Sequence, residues 1–241
     1  MRADVFLVEQ GFAATRAEAQ AAIAAGTVSA DGRAVAKASQ PLSADMKIAY
    51  APAHPYVSRG ALKLIAALDR FGLSPDGLVC LDIGASTGGF TQILLERGAK
   101  KVFAVDVGHG QLHRNVADDV RVMSLEGTNA RRISKRDIPE NPQAIVADVS
   151  FISLKLVLPK ALELAENGAW LVALVKPQFE VGRENVGKGG IVKSEAAQKA
   201  VLAEIARWLA EDQHWSVLGT MQSPIEGGDG NREFLIAAKK P

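Results

Sequence analysis

Short apolar runs alternate with helix-like segments along the chain from residue 58 onwards. The helix-like segments include residues 90–97 and a long helix over residues 194–210 with charged residues on its outer face. Strands that alternate with helices in this way predict a mostly parallel sheet with helices on both faces, which is an α/β, doubly wound fold. The apolar runs predict seven strands, over residues 79–83, 102–105, 120–124, 144–148, 169–175, 215–221 and 233–238.

The first fifty residues show a different pattern, with two short helices followed by a hairpin. Residues 3–10 are predicted to be helical, and Thr15 is placed to cap a second helix, with Glu18 completing a capping box. Residues 27–35 are predicted to form a hairpin, because a central Asp31-Gly32 pair favours a type I′ turn, and residues 46–50 add a third strand. We therefore predict a small N-terminal α+β domain.

Proline composition predicts where this small domain ends. Residues 51–58 include two prolines, which disfavour both helix and strand and are typical of a linker. The predicted organisation is an α+β domain over residues 1–50, a linker over residues 51–58 and the α/β domain over residues 59–241. A chain of 241 residues has room for two domains of these sizes.

Composition narrows the class of protein. Apolar residues make up 48% of the chain, and the formal net charge is +1, which is typical of a globular protein with a substantial core. The single cysteine, Cys80, excludes an internal disulfide framework. The N-terminus lacks the apolar stretch of a signal peptide, and no run approaches the roughly 18 apolar residues of a membrane-spanning helix. We expect a cytoplasmic protein that does not insert into membranes.

A glycine-rich turn follows the first strand of the α/β domain. Gly84, Gly88 and Gly89 lie between a strand that ends on Asp82 and a second strand that is followed by Asp106. Glycines let the backbone approach a ligand closely, and an acidic residue after the second strand can accept hydrogen bonds from a ribose. The spacing differs from the G-x-G-x-x-G pattern of dinucleotide sites. The Asp82 carboxylate beside the turn would repel a pyrophosphate and favours a cationic nucleoside ligand without phosphate. An ordinary turn between strand and helix is the alternative.

Four charged residues are predicted to converge at the edge of the sheet beside this turn. Asp148 ends the fourth predicted strand, Lys176 follows the fifth, and an antiparallel last strand would bring Glu233 to the same edge. Lys63 lies on a preceding helix that can fold over this edge. Two lysines and two carboxylates beside a cationic ligand form a candidate site for proton transfer. The alternative for each residue taken singly is a solvated surface charge.

Eight motifs, in order, resemble the TlyA family, and the resemblance covers essentially the whole chain. These motifs are YVSRGALKL, CLDIGASTGGFT, AVDVGHGQL, LEGTNAR, ADVSFISL, LVKPQFEVG, GKGGIV and GNREF. The family joins a small RNA-binding domain to an FtsJ-like methyltransferase domain with a Rossmann-like sheet of seven strands. The resemblance implies transfer of a methyl group from S-adenosylmethionine to a cytidine ribose 2′-hydroxyl of ribosomal RNA in ribosomal subunits.

The resemblance also implies roles for individual residues. The catalytic tetrad of FtsJ-like enzymes corresponds to Lys63, Asp148, Lys176 and Glu233. Lys176 would act on the hydroxyl proton, either as general base or electrostatically, with Asp148 orienting it, while Lys63 and Glu233 would position the hydroxyl. The cofactor-binding candidates are Asp82, Gly84, Ala85, Ser86, Gly88, Phe90, Asp106, Val107 and Asn129.

Basic residues provide the RNA-binding candidates in both predicted domains. The first fifty residues contain five basic and five acidic side chains, so this domain alone is expected to bind RNA weakly. His109 and His113 have the spacing of a metal-binding pair, but without an evident third ligand we expect no metal. The RNA-binding candidates are Arg16, Arg33, Arg59, Arg131, Arg132, Arg183 and Lys188.

Three functional questions stay open at this level. Members of the family carry the name hemolysin, so a membrane-active protein is one alternative, although no basic amphipathic helix supports it. A non-catalytic rRNA-binding assembly factor is another, although it would not need four convergent charged residues. The chain ends eight residues after Glu233, whereas longer family members that modify both 16S and 23S rRNA continue further. We therefore expect 23S rRNA as the target and leave 16S rRNA open.

Overall fold

The computed structural model of the chain describes residues 1–182, 186–227 and 230–241, with Lys188 described by its backbone alone. These residues form two compact units, Met1–Pro55 and Tyr56–Pro241. The first of the two prolines near the boundary lies inside the N-terminal unit, and the second is its last residue. Each unit has a hydrophobic core of its own.

The N-terminal unit contains two helices and a three-stranded antiparallel sheet of order β2-β1-β3. The Thr15 hydroxyl accepts a hydrogen bond from the Glu18 backbone N–H at 3.2 Å, so the capping interaction that the sequence predicts is present. Asp31 and Gly32 both have positive φ, as a type I′ turn requires. The elements are α1 (Ala3–Glu9), α2 (Arg16–Ala24), β1 (Val28–Ala30), β2 (Arg33–Ala34) and β3 (Ile48–Tyr50).

The second unit is built around a seven-stranded sheet. Its strands are β4 (Val79–Ile83), β5 (Lys101–Val105), β6 (Val122–Leu125), β7 (Ala144–Ala147), β8 (Trp170–Val175), β9 (Ser216–Gln222) and β10 (Phe234–Lys239). Its helices are α3 (Gly60–Phe71), α4 (Gly89–Glu96), α5 (Arg114–Ala117), α6 (Leu154–Val157), α7 (Pro159–Leu164), α8 (Pro177–Glu180) and α9 (Glu195–Arg207). Short 3₁₀ turns span Ala130–Arg132 and Lys188–Gly190, and a π-helical turn, Trp208–Asp212, follows α9.

The strand order is β6-β5-β4-β7-β8-β10-β9, and β10 lies antiparallel between β8 and β9. The strands β4 to β8 are parallel to one another. The seven-stranded, doubly wound methyltransferase-like sheet that the sequence predicts is therefore present. The order reverses at β4, and in open sheets of this kind ligands bind at such a point, beyond the carboxyl ends of the strands.

Strand ends differ from the predicted ones in a consistent way. Asp148 and Glu233, predicted as strand residues, lie immediately outside β7 and β10. Val120, predicted to begin a strand, is fully exposed, and β6 begins at Val122. The backbone hydrogen bonds continue one residue past these two strands, since the Asp148 N–H donates to the Ile83 oxygen and the Glu233 oxygen accepts from the Ser223 N–H.

The core lies on both faces of the sheet. Alternate residues of the parallel strands enter opposite clusters, with Leu81 and Phe103 in one and Cys80 and Val102 in the other. Strands buried on both faces explain why their sequences are almost continuously apolar. Among the helices that the structure describes, none combines the length and the apolar character needed to cross a membrane.

Candidate active site

The glycine-rich turn begins at the carboxyl end of β4. Gly84 has φ +82°, and a Cβ placed there would lie 2.4 Å from the backbone oxygen of Asp148. Only glycine fits this close approach of the β4 and β7 ends. Gly88, with φ +95°, is the N-cap of α4, and a Cβ there would lie 2.9 Å from Leu112. The glycines thus bring the turn against the loops that follow β5 and β7.

Asp106, directly after β5, joins the turn to the next loop. Its carboxylate accepts hydrogen bonds from the backbone N–H groups of Ser86 at 2.8 Å and Gly108 at 2.7 Å. Each carboxylate oxygen has a second lone pair, so both can accept a further hydrogen bond. Asp106 lines a cavity of about 500 Å³ together with Val107 and Asn129. We call this the Asp106 cavity.

Asp82, one of the predicted cofactor-binding residues, lies on β4 just before the glycine turn. Its side chain is fully buried beneath the turn, accepts a hydrogen bond from the Thr91 hydroxyl at 2.6 Å, and lines none of the three cavities described here. Burial raises the pKa of Asp82 to about 7, while the hydrogen bond from Thr91 opposes the shift and Asp148 adds to it. The other oxygen, Oδ1, has no hydrogen-bond partner among the residues that the structure describes. Asp82 supports the turn from below and does not form part of a cavity wall.

The four charged residues of the predicted tetrad form one connected cluster. Lys63 Nζ donates to Glu233 Oε2 at 2.6 Å and lies 4.0 Å from Asp148 Oδ2. Lys176 Nζ lies 2.6 Å from Asp148 Oδ1. The sheet register explains this convergence, because Phe234 pairs with Val175 and so places Glu233 opposite Lys176. Asp148 is thus held between two lysines at the carboxyl edge of the sheet.

A second cavity, of about 310 Å³, opens directly onto this cluster, and we call it the tetrad cavity. Lys63, Asp148 and Lys176 line one side of it. The glycine turn and α4 line another side, through Gly84, Ala85, Ser86 and Phe90. Gly84, Ser86, Asp148 and Ser150 line both this cavity and the Asp106 cavity, so the two spaces adjoin along a shared wall. Gly88 lines neither.

Residues that sequence reasoning missed lie beside the tetrad. Phe151 is 90% exposed, has φ +65°, and its ring centroid lies 5.1 Å from that of Phe179. Both rings line a third cavity of about 330 Å³ together with Lys176 and Glu233, which we call the Phe151 cavity. Ser150 lines all three cavities. An exposed phenylalanine within an otherwise apolar motif is indistinguishable from a core residue in the sequence.

The predicted RNA-binding residues occupy several different environments. Arg16 lies 2.8 Å from the buried Asp4 carboxylate, and Arg33 is exposed on β2. Arg59 lines the tetrad cavity and Arg131 the Asp106 cavity, so both border the predicted cofactor site. Arg132 is exposed in the adjacent 3₁₀ turn. Arg183 and the side chain of Lys188 lie outside the described residues.

The two histidines of the predicted pair take part in local structure. His113 caps α5, because its Nδ1 accepts a hydrogen bond from the Asn115 backbone N–H at 3.2 Å. The His109 ring packs against Gly127, where an added Cβ would lie 2.5 Å from Nε2. Within the described part of the chain, no group of three or more histidine, cysteine or acidic residues is placed to hold a metal ion.

Comparison with known proteins gives two domain matches that together cover nearly the whole chain. The FtsJ-like methyltransferase profile matches residues 56–240, and the S4 domain profile matches residues 1–48. The 16S/23S rRNA (cytidine-2′-O)-methyltransferase TlyA of Mycobacterium tuberculosis is 42% identical over 98% of this chain and 88% of its own length. Hemolysin A of Brachyspira hyodysenteriae is 40% identical over 98% of both chains.

A solved structure agrees with the sequence comparisons. A Streptococcus thermophilus protein, which carries the name hemolysin, superimposes on this chain with a TM-score of 0.79 at 42% identity. The superposition covers 100% of this chain and 88% of that one. The similarity therefore extends through both units of the chain.

Proposed function

This chain belongs to the FtsJ-like methyltransferase family, and from that premise we propose that it methylates a ribose 2′-hydroxyl of ribosomal RNA. The observation that carries the proposal is the connected cluster of Lys63, Asp148, Lys176 and Glu233 beside the glycine turn. A ribose hydroxyl must lose its proton as its oxygen attacks a methyl group. The cluster places a lysine nitrogen, Lys176 Nζ, at a cavity wall where such a hydroxyl can reach it.

The roles in the cluster follow from its contacts. Lys176 Nζ takes the hydroxyl proton, and Asp148 fixes the position of that nitrogen through its Oδ1. Lys63 is held by Glu233 at 2.6 Å and lines the same cavity as Lys176. We assign Lys63 and Glu233 to positioning the ribose, so that its oxygen lies in line with the methyl group.

The net charge of the four tetrad side chains supports a positively charged methyl donor. With both lysines protonated and both carboxylates ionised, the four side chains sum to zero, and loss of one proton from Lys176 leaves one negative charge. S-adenosylmethionine supplies an electrophilic methyl group on a positively charged sulfur. A positive charge next to the cluster favours the deprotonated form of a lysine.

The adjoining cavities fit this cofactor. Asp106 keeps an open lone pair on each oxygen for the two ribose hydroxyls, and Val107 and Asn129 line the same cavity. Arg59 lines the tetrad cavity beside Ala85 and Ser86, where it can bind the carboxylate of the methionine portion. We propose that the cofactor spans both cavities and passes Gly84, which lines both and has no side chain.

The Phe151 cavity fits the target nucleobase. The rings of Phe151 and Phe179 provide an apolar, partly exposed face next to Lys176 and Glu233. In sequence-specific RNA recognition, unpaired bases stack on aromatic side chains. We propose that these two rings hold the base while its ribose lies at the tetrad.

We propose 23S rRNA in ribosomal subunits as the substrate and a cytidine as the target nucleotide, in line with the name of the Mycobacterium tuberculosis relative. That name includes 16S rRNA as well, so 16S rRNA is the alternative substrate. The S4 unit would contribute to rRNA binding through Arg16 and Arg33, and Arg131 and Arg132 would do so from the second unit. The site of action would be the cytoplasm.

The decisive experiment is methyl transfer from S-adenosylmethionine to isolated ribosomal subunits by the purified full chain. Subunits that contain 23S rRNA and subunits that contain 16S rRNA are assayed separately. We expect one cytidine to become resistant to alkaline cleavage, because its 2′-oxygen is blocked. A methyl group on a base atom would contradict the proposal, as would the absence of transfer to either subunit.

A parallel assay tests the two alternatives. Leakage of a dye from phospholipid vesicles would indicate the membrane activity that the name hemolysin suggests, and we expect none. Tight binding to subunits without methyl transfer would indicate a non-catalytic assembly factor. The full chain and a Lys176→Ala variant are compared in the leakage, binding and methyl-transfer assays, because the enzymatic function predicts a difference between them in methyl transfer alone.

A further inference from the structure

The nitrogen of Lys176 contacts two side-chain oxygens, one in an ion pair and one in a hydrogen bond, and only the ion-pair partner belongs to the predicted tetrad. Asp148 Oδ1 lies 2.6 Å from Nζ on one side. Ser150 Oγ accepts a hydrogen bond from Nζ at 2.9 Å on the other. Lys176 is therefore held at two points, and its side chain is only 11% exposed.

The oxygens of Asp148 and Ser150 restrict the direction in which a lone pair on Lys176 Nζ can point. A neutral lysine amine is tetrahedral, with one bond to carbon, two N–H bonds and one lone pair. If Asp148 and Ser150 each accept one N–H, the lone pair must point in the remaining direction. With Asp148 alone, the nitrogen can rotate about its bond to Cε, and the lone pair has no fixed direction.

The position of Ser150 matches this role. It lines the tetrad cavity, the Asp106 cavity and the Phe151 cavity, so it lies where all three meet. The next residue, Phe151, has φ +65°, an unfavourable backbone conformation for a phenylalanine. This conformation places the Phe151 ring against Phe179 and leaves the Ser150 hydroxyl next to Lys176.

We propose that Ser150 is a positioning residue that directs the lone pair of Lys176 towards the ribose 2′-hydroxyl. The inference rests on the proposed function and adds a fifth residue to the reaction. Ser150 neither takes up nor releases a proton in this role, since its oxygen only accepts the N–H of Lys176. It acts through Lys176 and needs no contact with the methyl donor.

Three variants of the full chain test this role. Ser150→Ala removes the acceptor, and Ser150→Thr keeps a hydroxyl at an exposed position that has room for a methyl group. Ser153→Ala is the matched control, because Ser153 is a nearby serine whose hydroxyl caps α6 and donates to Glu180 at 2.6 Å. The measurement is the single-turnover rate at saturating subunits and cofactor, with cofactor affinity measured by calorimetry.

We expect Ser150→Ala to lower the single-turnover rate on the order of 10-fold, as for a displaced reacting group. Because the rate is measured at saturating cofactor, a change in cofactor affinity does not enter it, and Ser150→Thr should restore most of the rate. Ser153→Ala should leave the rate at saturation unchanged. An unaltered rate in Ser150→Ala, or a Ser150→Thr variant as slow as Ser150→Ala, would overturn the inference.

A spectroscopic readout separates this inference from the proposed function. In protein labelled with ¹⁵N at the lysine side chains, the Lys176 Nζ resonance can be assigned by comparison with Lys176→Arg. It should shift in Ser150→Ala and stay in place in Ser153→Ala. If the wild-type chain transfers no methyl group to ribose, the proposed function fails, whereas an unshifted resonance in Ser150→Ala shows that the Ser150–Lys176 contact itself is wrong.

Discussion

Two clusters in this molecule are built on the same plan, one carboxylate between two cations, and they differ in which partner is buried. In the N-terminal unit, Asp4 is fully buried, and the side chains of Arg2 and Arg16 that bind it are 52% and 58% exposed. In the second unit, Asp148 is 22% exposed, and Lys63 and Lys176 are only 10% and 11% exposed. The carboxylate is therefore the buried partner in the first cluster, and the two cations are the buried partners in the second.

The difference indicates what each cluster can do. Buried Asp4 holds two guanidinium groups at the surface, where their free N–H donors face solvent and can bind phosphate. Hydrogen bonds from Arg2, Arg16 and Gln20 lower the pKa of Asp4 and keep it charged. In the tetrad, the lysines are enclosed, so under the proposed function a proton would move between protein and substrate with little competition from water. One cluster suits binding and the other suits proton transfer.

The largest expected effect concerns the enclosed lysines. Lys176→Ala and Asp148→Ala should each lower the single-turnover rate of methyl transfer by about 10²–10⁴-fold, which is typical for loss of a general acid–base group or of its orientation. Ribosomal subunit binding should change little. Lys155→Ala removes a surface lysine that pairs with Glu204 and serves as the control. Full activity in Lys176→Ala would contradict the mechanism.

Asp82 extends the comparison of the two clusters, because it is a buried carboxylate for which the described residues provide no cationic partner. Its pKa of about 7 exceeds the unfolded value of about 3.9. Between these pH values the native state binds more protons than the unfolded state, so the contribution of Asp82 to stability falls as pH rises from about 4 to 7 and is constant above that.

Asp82→Asn should remove this pH dependence. The rise in the pKa of Asp82 on folding corresponds to about 4 kcal/mol of lost stability at high pH, from which an unpaired amide donor subtracts about 1–3 kcal/mol. We expect the variant to exceed the wild type in free energy of unfolding at pH 8 by about 1–3 kcal/mol, and the difference to shrink towards pH 5. Urea unfolding at both pH values measures it. A difference that grew at pH 5 would show that burial does not control this carboxylate.

The third effect concerns the cofactor. Asp106→Ala should weaken S-adenosylmethionine binding by about 1–3 kcal/mol, because two ribose hydroxyls lose their acceptor and two backbone N–H groups lose theirs. Calorimetry with S-adenosylmethionine provides the measurement, and NAD should not bind to either form. Asp118→Ala, which removes an exposed carboxylate paired with Arg114, is the control. Undiminished affinity in Asp106→Ala would exclude the ribose contact.

The smallest expected effect tests whether buried Asp4 holds Arg2 and Arg16 in place. Asp4→Asn makes the N-terminal unit more positive by one charge, so charge counting alone predicts tighter rRNA binding. If Asp4 serves to hold Arg2 and Arg16 in place, binding should weaken instead. We expect the methylation rate at low subunit concentration to fall several-fold, with the saturated rate and cofactor affinity unchanged. Asp45→Asn adds the same charge at an exposed position and should not weaken binding.

The sequence predicts the fold and the four residues of the tetrad because both depend on chain order and on the ends of apolar strands. Asp148 and Lys176 directly follow β7 and β8, and Glu233 directly precedes the antiparallel β10, so all three lie at the edge where the parallel strands end. Ser150 and Phe151 could not be found in this way. Their positions depend on a positive φ at Phe151, which is unfavourable for this residue type and which local sequence preference does not predict.

The N-terminal unit shows a second limit of sequence reasoning. A count of five basic and five acidic residues predicts weak RNA binding, but it does not show which charges meet. In the structure, one buried carboxylate takes hydrogen bonds from Arg2, Arg16 and Gln20, whose sequence separations from Asp4 are 2, 12 and 16 residues. Tertiary packing, and not composition, determines which cations are held at the surface.

The position of β10 between β8 and β9 has a consequence for the order in which the enzyme folds. Lys63 and Glu233 are 170 residues apart in the chain, so their contact closes a long loop, and we expect it to form after the parallel strands have assembled. The hydrogen bond from Ser86 to Asp106 joins the ends of β4 and β5, which are neighbours in sequence. A refolding chain should therefore form the contact between the glycine turn and Asp106 early, and complete the tetrad only when the antiparallel strand β10 docks.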